Sequence, residues 1–202
     1  YDALYGHPLI KEMAYCRILS DSVDNQALIK RHTEFWYYDD LGLKYTFAEP
    51  TTGHKPQKEN EVIADTKTLE LLGVPLEVGT SLSLELNVHG RQVTRDFVLS
   101  GWWESDPGFN VGQIFASRAY VDTHLGELNN TYYQDYSVTG AITGYIKFES
   151  SMNIEENLNR VLTESGFSTE EGAPNYIKIG INWAYMSTGM ELDMGTVIAL
   201  IC

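Results

Sequence analysis

The amino-acid sequence predicts an α+β fold, a β-α-β body with a mostly β segment inserted in its middle. Two observations carry that expectation. Near the C-terminus, a run with strand character (138–148) precedes an amphipathic helix (154–165) and a second alternating run (176–181). In the middle, residues 81–88 alternate strictly, with Leu82, Leu84, Leu86 and Val88 on one face. A tight His89-Gly90 connection then returns the chain as a partner strand over 93–102, which makes a hairpin.

The elements follow in chain order. Gly6 and Pro8 punctuate residues 3–8 as a turn or helix end, and the alternation over 10–19 suits a half-buried strand. Residues 21–25 read as a turn. The stretch 27–38 stays open, since Leu28, Ile29 and Phe35 allow a helix while Phe35-Trp36-Tyr37-Tyr38 favours a strand. A turn at 39–42 and an alternating strand at 43–47 are expected next.

Gly53 and Pro56 mark a turn that leads through a charged linker to a short apolar strand, Glu61-Val62-Ile63-Ala64. Asp65 or Thr66 can cap a helix running to Leu72, with Gly73 in the left-handed position just past its end. Val62, Ile63, Leu69 and Leu72 would give this unit its buried face. Pro107, Gly108 and Gly112 place a loop at 106–112. A short strand at 114–116 follows, and Ser117 caps a brief helix reaching Leu125. The polar, Tyr-rich stretch 126–136 predicts a surface loop. Asn153 with Glu156 three residues on suggests a capping arrangement. The helix it opens buries Ile154, Leu158, Val161 and Leu162 and ends at Gly166.

At 202 residues, 43% hydrophobic and 21% charged, the chain has the balance of a globular domain or of a domain with one insertion. Its formal net charge is −14. A surface that negative repels phosphate backbones, which excludes nucleic acid as a partner. Cys16 and Cys202 cannot form a disulfide framework and identify no redox compartment. No run of about 18 apolar residues is present. The uncapped apolar run from Gly195 to Cys202 and the start at Tyr1 predict a soluble piece excised from a longer protein.

Catalytic chemistry has no signature. The sequence contains no GxSxG, HExxH, CxxC, P-loop or GxGxxG. His7, His32, His54, His89 and His124 lack metal-ligand spacing and read as solvated or turn histidines. Asp39-Asp40 and Glu170-Glu171 read as solvated turns, and Asn129-Asn130-Thr131 matches a glycosylation sequon of low specificity. Among the aromatics, Trp102-Trp103 ends a strand, so the two rings point to opposite faces and one of them is expected to be exposed. Core packing accounts for most of these rings, with Phe35 to Tyr38 and Tyr132-Tyr133 included. The functional alternative is a contact surface for a protein partner or an amphipathic ligand. Its candidates are Trp102, Trp103 and Phe109, centred on Trp103 and the 106–112 loop.

The ordered motifs resemble the extracytoplasmic domain of FtsX-like, MacB-type ABC transporter permeases. That family carries G-x-x-P, a spacer, E-[IV]-[IV], a short helix ending L-G, then V-G-[DT], a β run, and a strand of the form f-x-V-x-G. This chain shows Gly53-His-Lys-Pro56, Glu61-Val-Ile63, Leu72-Gly73, Val78-Gly-Thr80 and Phe97-Val-Leu-Ser-Gly101. Ile114-Phe-Ala-Ser117 and the strand and helix over 141–166 continue the match, which spans roughly residues 50–180. Trp102-Trp103 departs from the small aliphatic residue that commonly follows the glycine.

The resemblance implies a domain between the first and second transmembrane helices, on the extracytoplasmic face of the cell membrane. It implies a porter-like part (1–52 and 137–202) and an inserted β-rich, Sabre-like part (53–136). The implied role is non-catalytic and needs no cofactor. ATP hydrolysis would belong to a separate ATP-binding subunit or domain in the cytoplasm. Motion of the permease's own membrane helices would be relayed through the porter-like part to export or sensing of a substrate, such as an antimicrobial peptide, a lipid or a lipoprotein. A second permease copy or an extracytoplasmic protein is a further implied partner. The rival reading is a free-standing cell-surface binding or adhesion domain that shares only local motifs.

Overall fold

A computed structural model describes residues 2–128, 137–150, 152–181 and 199–201. The sequon, Tyr132-Tyr133 and Cys202 lie outside the described residues. The chain divides into two compact units, unit 1 (Tyr1–Tyr15 with Ile142–Cys202) and unit 2 (Cys16–Ala141). No helix among the described residues is long and apolar enough to cross a membrane.

Unit 1 contains most of strand β1 (Ile10–Ile18), which passes into unit 2 at Cys16. Strand β9 (Ile142–Phe148), helix α4 (Ile154–Glu164), β10 (Ile179–Ile181) and β11 (Ala199–Ile201) complete it. The strand order is β10-β11-β9-β1, with antiparallel pairing of β10 to β11 and of β11 to β9. The expected apolar stripe of α4, Ile154, Leu158, Val161 and Leu162, is buried with Ile146, Phe148, Leu4 and Met13. Gly166 takes the left-handed conformation just past its end (φ 82°).

Three expectations in unit 1 change. Asn153 is itself left-handed (φ 56°) and its side chain makes no cap hydrogen bond, because that geometry turns the amide away from the first-turn N–H groups. The strand expected from residue 138 starts only at Ile142, since a turn closed by Ala141 N to Val138 O precedes it. The final run is laddered only over β10, with an isolated bridge at Tyr176.

Unit 2 comprises β2 (Ser22–Val23), a 3-10 turn (Gln26–Leu28), β3 (Thr33–Tyr38), α1 (Asp40–Tyr45), β4 (Thr52–Gly53), β5 (Glu61–Asp65), α2 (Thr66–Leu72), β6 (Ser81–Val88), β7 (Arg91–Trp103), β8 (Gly112–Ala116) and α3 (Arg118–Thr123). Its strand order is β1-β3-β8-β5-β7-β6-β2, with β4 added on β7. The β3–β8 and β5–β7 pairs are parallel; β1–β3, β5–β8 and β6–β7 are antiparallel. His89 and Gly90 both have positive φ (52° and 74°), the geometry of a two-residue turn matching the twist of the flanking strands. The ambiguous stretch 27–38 splits into the 3-10 turn and β3. Phe35, inward on β3, packs edge-on against Phe97 and Tyr120 at ring separations of 5.5 and 5.4 Å.

The expected strand over 43–47 is instead helix α1. Asp39 caps it by accepting from Gly42 N at 2.8 Å, and Asp40 sits in its first turn. A five-residue alternation is too short to outweigh a capped helix start. The chain then leaves through Phe47, left-handed at φ 56° and 85% exposed.

Candidate functional site

The site grows from Asp65, the last residue of β5. Every residue of β5 is buried, because parallel pairing with β7 and antiparallel pairing with β8 put the strand in the sheet interior. Where β5 ends and α2 begins, the Asp65 carboxylate must be satisfied locally. It caps α2 by accepting from Thr68 N at 3.0 Å and takes the Thr68 hydroxyl at 2.6 Å. It also accepts from Ser105 Oγ at 2.7 Å and Gln113 N at 3.0 Å, and pairs with the Arg31 guanidinium at 3.1 Å. Ser105 and Gln113 bracket the 106–112 loop, so one buried carboxylate fixes both ends of that loop.

Burial pushes the Asp65 carboxyl up. The hydrogen bonds from Thr68, Gln113 and Ser105 more than offset it and hold the group below the ordinary carboxylate value. Ser105 ties the loop to α2 a second time, since Lys67 N donates to Ser105 Oγ at 2.7 Å and Ser105 N donates to Thr66 Oγ1 at 3.0 Å.

Between this loop, α2 and the residues after the 3-10 turn lies a groove of about 940 Å³. Leu71, Leu76, Pro107 and Phe109 supply its apolar lining, and Phe109 is 55% exposed. Lys30, Arg31 and Lys67 bring positive charge to the same walls, and Glu70 and Asp106 negative charge. Most of that charge is already committed. Lys67 Nζ is paired with Glu70 at 2.8 Å, and Asp106 Oδ1 accepts from Gly108 N at 2.8 Å. Arg31 also donates to Val111 O at 3.1 Å, while its Nε is buried without a partner. Lys30 makes no ion pair among the described residues.

Of the three residues expected at a contact surface, only Phe109 lies on the surface. Trp102 is 9% and Trp103 7% exposed, which corrects the expectation that one of the rings faces solvent. Alternation does send them to opposite faces. Trp102 joins the main core of unit 2, and Trp103 packs on Phe115 at 5.5 Å between ring centres. Both faces of β7 are covered at that end, so neither ring is left outside.

Gly53 and Gly101, two glycines of the ordered motifs, have a role that turn chemistry does not describe. Gly53 on β4 pairs with Gly101 on β7. A Cβ on Gly53 would lie 2.2 Å from Ser100 O, and one on Gly101 would lie 2.6 Å from Thr52 O. Two backbones approach closer here than any side chain permits. The β5–β7 register also shifts at this level, with Val62 opposite Leu99 but Ile63 opposite Gly101, and Ser100 Oγ donates to Val62 O at 3.2 Å.

Histidines expected to be solvated or in turns also make contacts, among them His89, which sits in the β6–β7 turn, and His124. His89 contacts Ser137 Oγ and Glu127 O, both at 2.8 Å. His124 packs on Tyr120, and Arg95, ion-paired to Glu127, lies against its ring. Burial and the Arg95 charge hold His124 below its ordinary value against the opposing pull of Glu127 and Glu59. A second pocket of about 420 Å³ lies against α1, Lys55-Pro56 and the start of α3. Among the described residues no group of three or more His, Cys, Asp or Glu could hold a metal ion.

No protein-family model and no curated protein sequence matches the chain. Solved structures do match. A domain of a permease protein from Porphyromonas gingivalis superposes with a TM-score of 0.52 at 12% identity, covering 100% of this chain and 80% of that one. The chain shares the fold of that domain. The extracellular domain of YknZ, a noncanonic ABC-type transporter from Gram-positive bacteria, gives a TM-score of 0.48 at 12% identity, over 81% of this chain and 76% of its own. The periplasmic region of MacB from Actinobacillus actinomycetemcomitans gives 0.47 at 10% identity, over 80% and 69%.

Within that fold, the residues that build the site were only partly visible in the sequence. Asp65 was legible as a helix cap, but its grip on Ser105, Gln113 and Arg31 was not. Each partner is 34 or more residues away along the chain. Lys30 and Arg31 carried no local signal at all.

Proposed function

We propose that the chain is a non-catalytic extracytoplasmic domain of an ABC transporter permease, which couples motion of the membrane helices to export or sensing of a substrate. The observation that carries this reading is the fold shared with a permease domain over the whole chain. The ordered motifs support it. Gly53 and Gly101, which belong to two of those motifs, meet across one strand pair. The porter-like part (1–52 and 137–202) and the inserted part (53–136) belong to this proposal. So do the ATP-binding partner in the cytoplasm and the location on the outer face of the membrane. Residues from both ends of the sequence fall in unit 1, so a displacement applied to both would act on one packed body. The 106–112 loop with Phe109 would be the contact surface.

The gene that encodes the chain tests this directly. It should specify an apolar segment of about 20 residues before Tyr1 and several after Cys202. A Glu77→Cys variant of the full protein should react with a membrane-impermeant maleimide in intact cells. Absence of those segments, or labelling only after lysis, would refute the reading.

A further inference from the structure

We propose that His124 is a pH-operated switch between two sets of partners. Neutral, it accepts a hydrogen bond from Arg95 on β7; protonated, it releases Arg95 and donates to Glu59 and Glu127. Such a switch is independent of the permease reading and adds a means of regulation to it.

The ring stands between one donor and two acceptors. Arg95 Nη1 lies 2.8 Å from His124 Nδ1 and 2.6 Å from Nε2. Glu127 Oε2 lies 3.4 Å from Nδ1, and Glu59 Oε1 lies 3.5 Å from Nε2. A guanidinium can only donate and an ionised carboxylate can only accept. The Arg95 contact therefore needs a ring nitrogen without a proton, whereas each carboxylate needs one that carries it. A neutral imidazole has one nitrogen of each kind. An imidazolium has protons on both, so it can hold Glu59 and Glu127 but not Arg95. Arg95 is the group that must leave, because it does not give up its own proton.

Four parts of unit 2 face this ring among the described residues. Strand β7 brings Arg95, α3 brings Tyr120 at 4.4 Å between ring centres, the turn after α3 brings Glu127, and the linker between β4 and β5 brings Glu59. Burial and Arg95 disfavour the charged ring, and they outweigh Glu127 and Glu59, so the neutral arrangement holds at neutral pH. Arg95 can leave the histidine without being stranded, since its guanidinium also lies 5.5 Å from the centre of the Tyr120 ring.

The exchange reaches the backbone through His124 itself. This residue is the C-cap of α3 and donates its N–H to Tyr120 O at 3.1 Å. Its carbonyl accepts from Glu127 N at 3.0 Å and Leu128 N at 2.9 Å. Acidification loosens the tie between this turn and β7 and tightens the tie to the linker before β5. His89, whose Nε2 meets Glu127 O at 2.8 Å, is a second titratable group on the same turn.

The test is an NMR titration of the 202-residue chain, with its histidines and backbone labelled with nitrogen-15, from about pH 8 to about pH 5. The His124 ring signals are assigned by their loss in His124→Gln. Their midpoint should lie below 6.5, and the amides of Arg95 and Glu59 should shift with that same midpoint. The amide shifts should vanish in His124→Gln and persist in His89→Asn. Arg95→Gln should raise the midpoint, because only the two carboxylates then act on the ring, and Glu59→Gln should lower it. Displacements of opposite sign separate a switch from a structural role, since loss of packing would move both variants toward the ordinary value. The Glu59 side chain is 52% exposed, so Glu59→Gln keeps the fold and gives a reading even if Arg95→Gln does not fold. A midpoint at or above 6.5, displacement of both variants in one direction, or an Arg95 amide that does not follow His124 would overturn the proposal.

Discussion

Replacing Asp65 with Ala removes one carboxylate and strands five groups. The Thr68 N–H loses its cap, a loss of roughly 0.5–2 kcal/mol on its own. The Arg31 side chain, 12% exposed, is left as a buried cation without its counter-charge. Breaking a buried pair in this way costs about 3–5 kcal/mol. Gln113 N, Ser105 Oγ and Thr68 Oγ1 lose their acceptor as well. These terms overlap, so the whole substitution is expected to destabilise unit 2 by ~3–5 kcal/mol and to lower its melting temperature by roughly 10 °C. Urea denaturation followed by tryptophan emission reads this well, because Trp36, Trp102 and Trp103 all lie in unit 2. Adding Arg31→Met to Asp65→Ala should recover part of the loss, since no buried charge is then left alone. A loss below about 1 kcal/mol for Asp65→Ala, or a double variant less stable than the single one, would refute the argument that this pair organises the loop.

Gly101→Ala should destabilise the protein by about 1–3 kcal/mol, because its Cβ meets backbone rather than a movable side chain. Gly53→Ala should cost more, as strain at φ 82° adds to the overlap; chemical denaturation of both variants checks the order. Asp65, Asp21 and Glu61 all sit below their ordinary values, so the folded state binds fewer protons than the unfolded chain in acid. Stability should therefore be full above the ordinary carboxyl values of 3.8 for Asp and 4.5 for Glu, and fall as pH drops through the depressed folded ones. A denaturation series from pH 7 downwards measures this, and Asp65→Asn should flatten it. Burial pushes the Cys16 thiol well up from its ordinary value, which leaves almost no thiolate at neutral pH. In a Cys202→Ser background, Cys16 should react with Ellman's reagent only as fast as the chain unfolds.

Local periodicity was enough for those elements that are stabilised by their own residues. The β6–β7 hairpin was readable because Leu82, Leu84, Leu86 and Val88 alternate and His89-Gly90 can adopt positive φ. The α2 helix was readable from its Asp65 cap and Gly73, and α4 from its apolar stripe. Short-range pattern failed where two local signals competed. At 43–47 the alternation lost to a helix capped by Asp39, and Asn153 in the left-handed conformation could not deliver the cap that its spacing suggests.

By itself the sequence determined the α+β class, most element positions, the lack of any catalytic motif and the resemblance to permease domains. Those properties depend on residue order over short spans, which is where propensity and periodicity act. Tertiary structure alone decided that Trp102 and Trp103 are both buried, because coverage of the two faces of β7 depends on strands from other parts of the chain. It alone brought Gly53 against Gly101, and gathered Arg31, Ser105 and Gln113 around Asp65. These contacts are set by strand order, a choice made by packing across the sheet that no window of sequence contains.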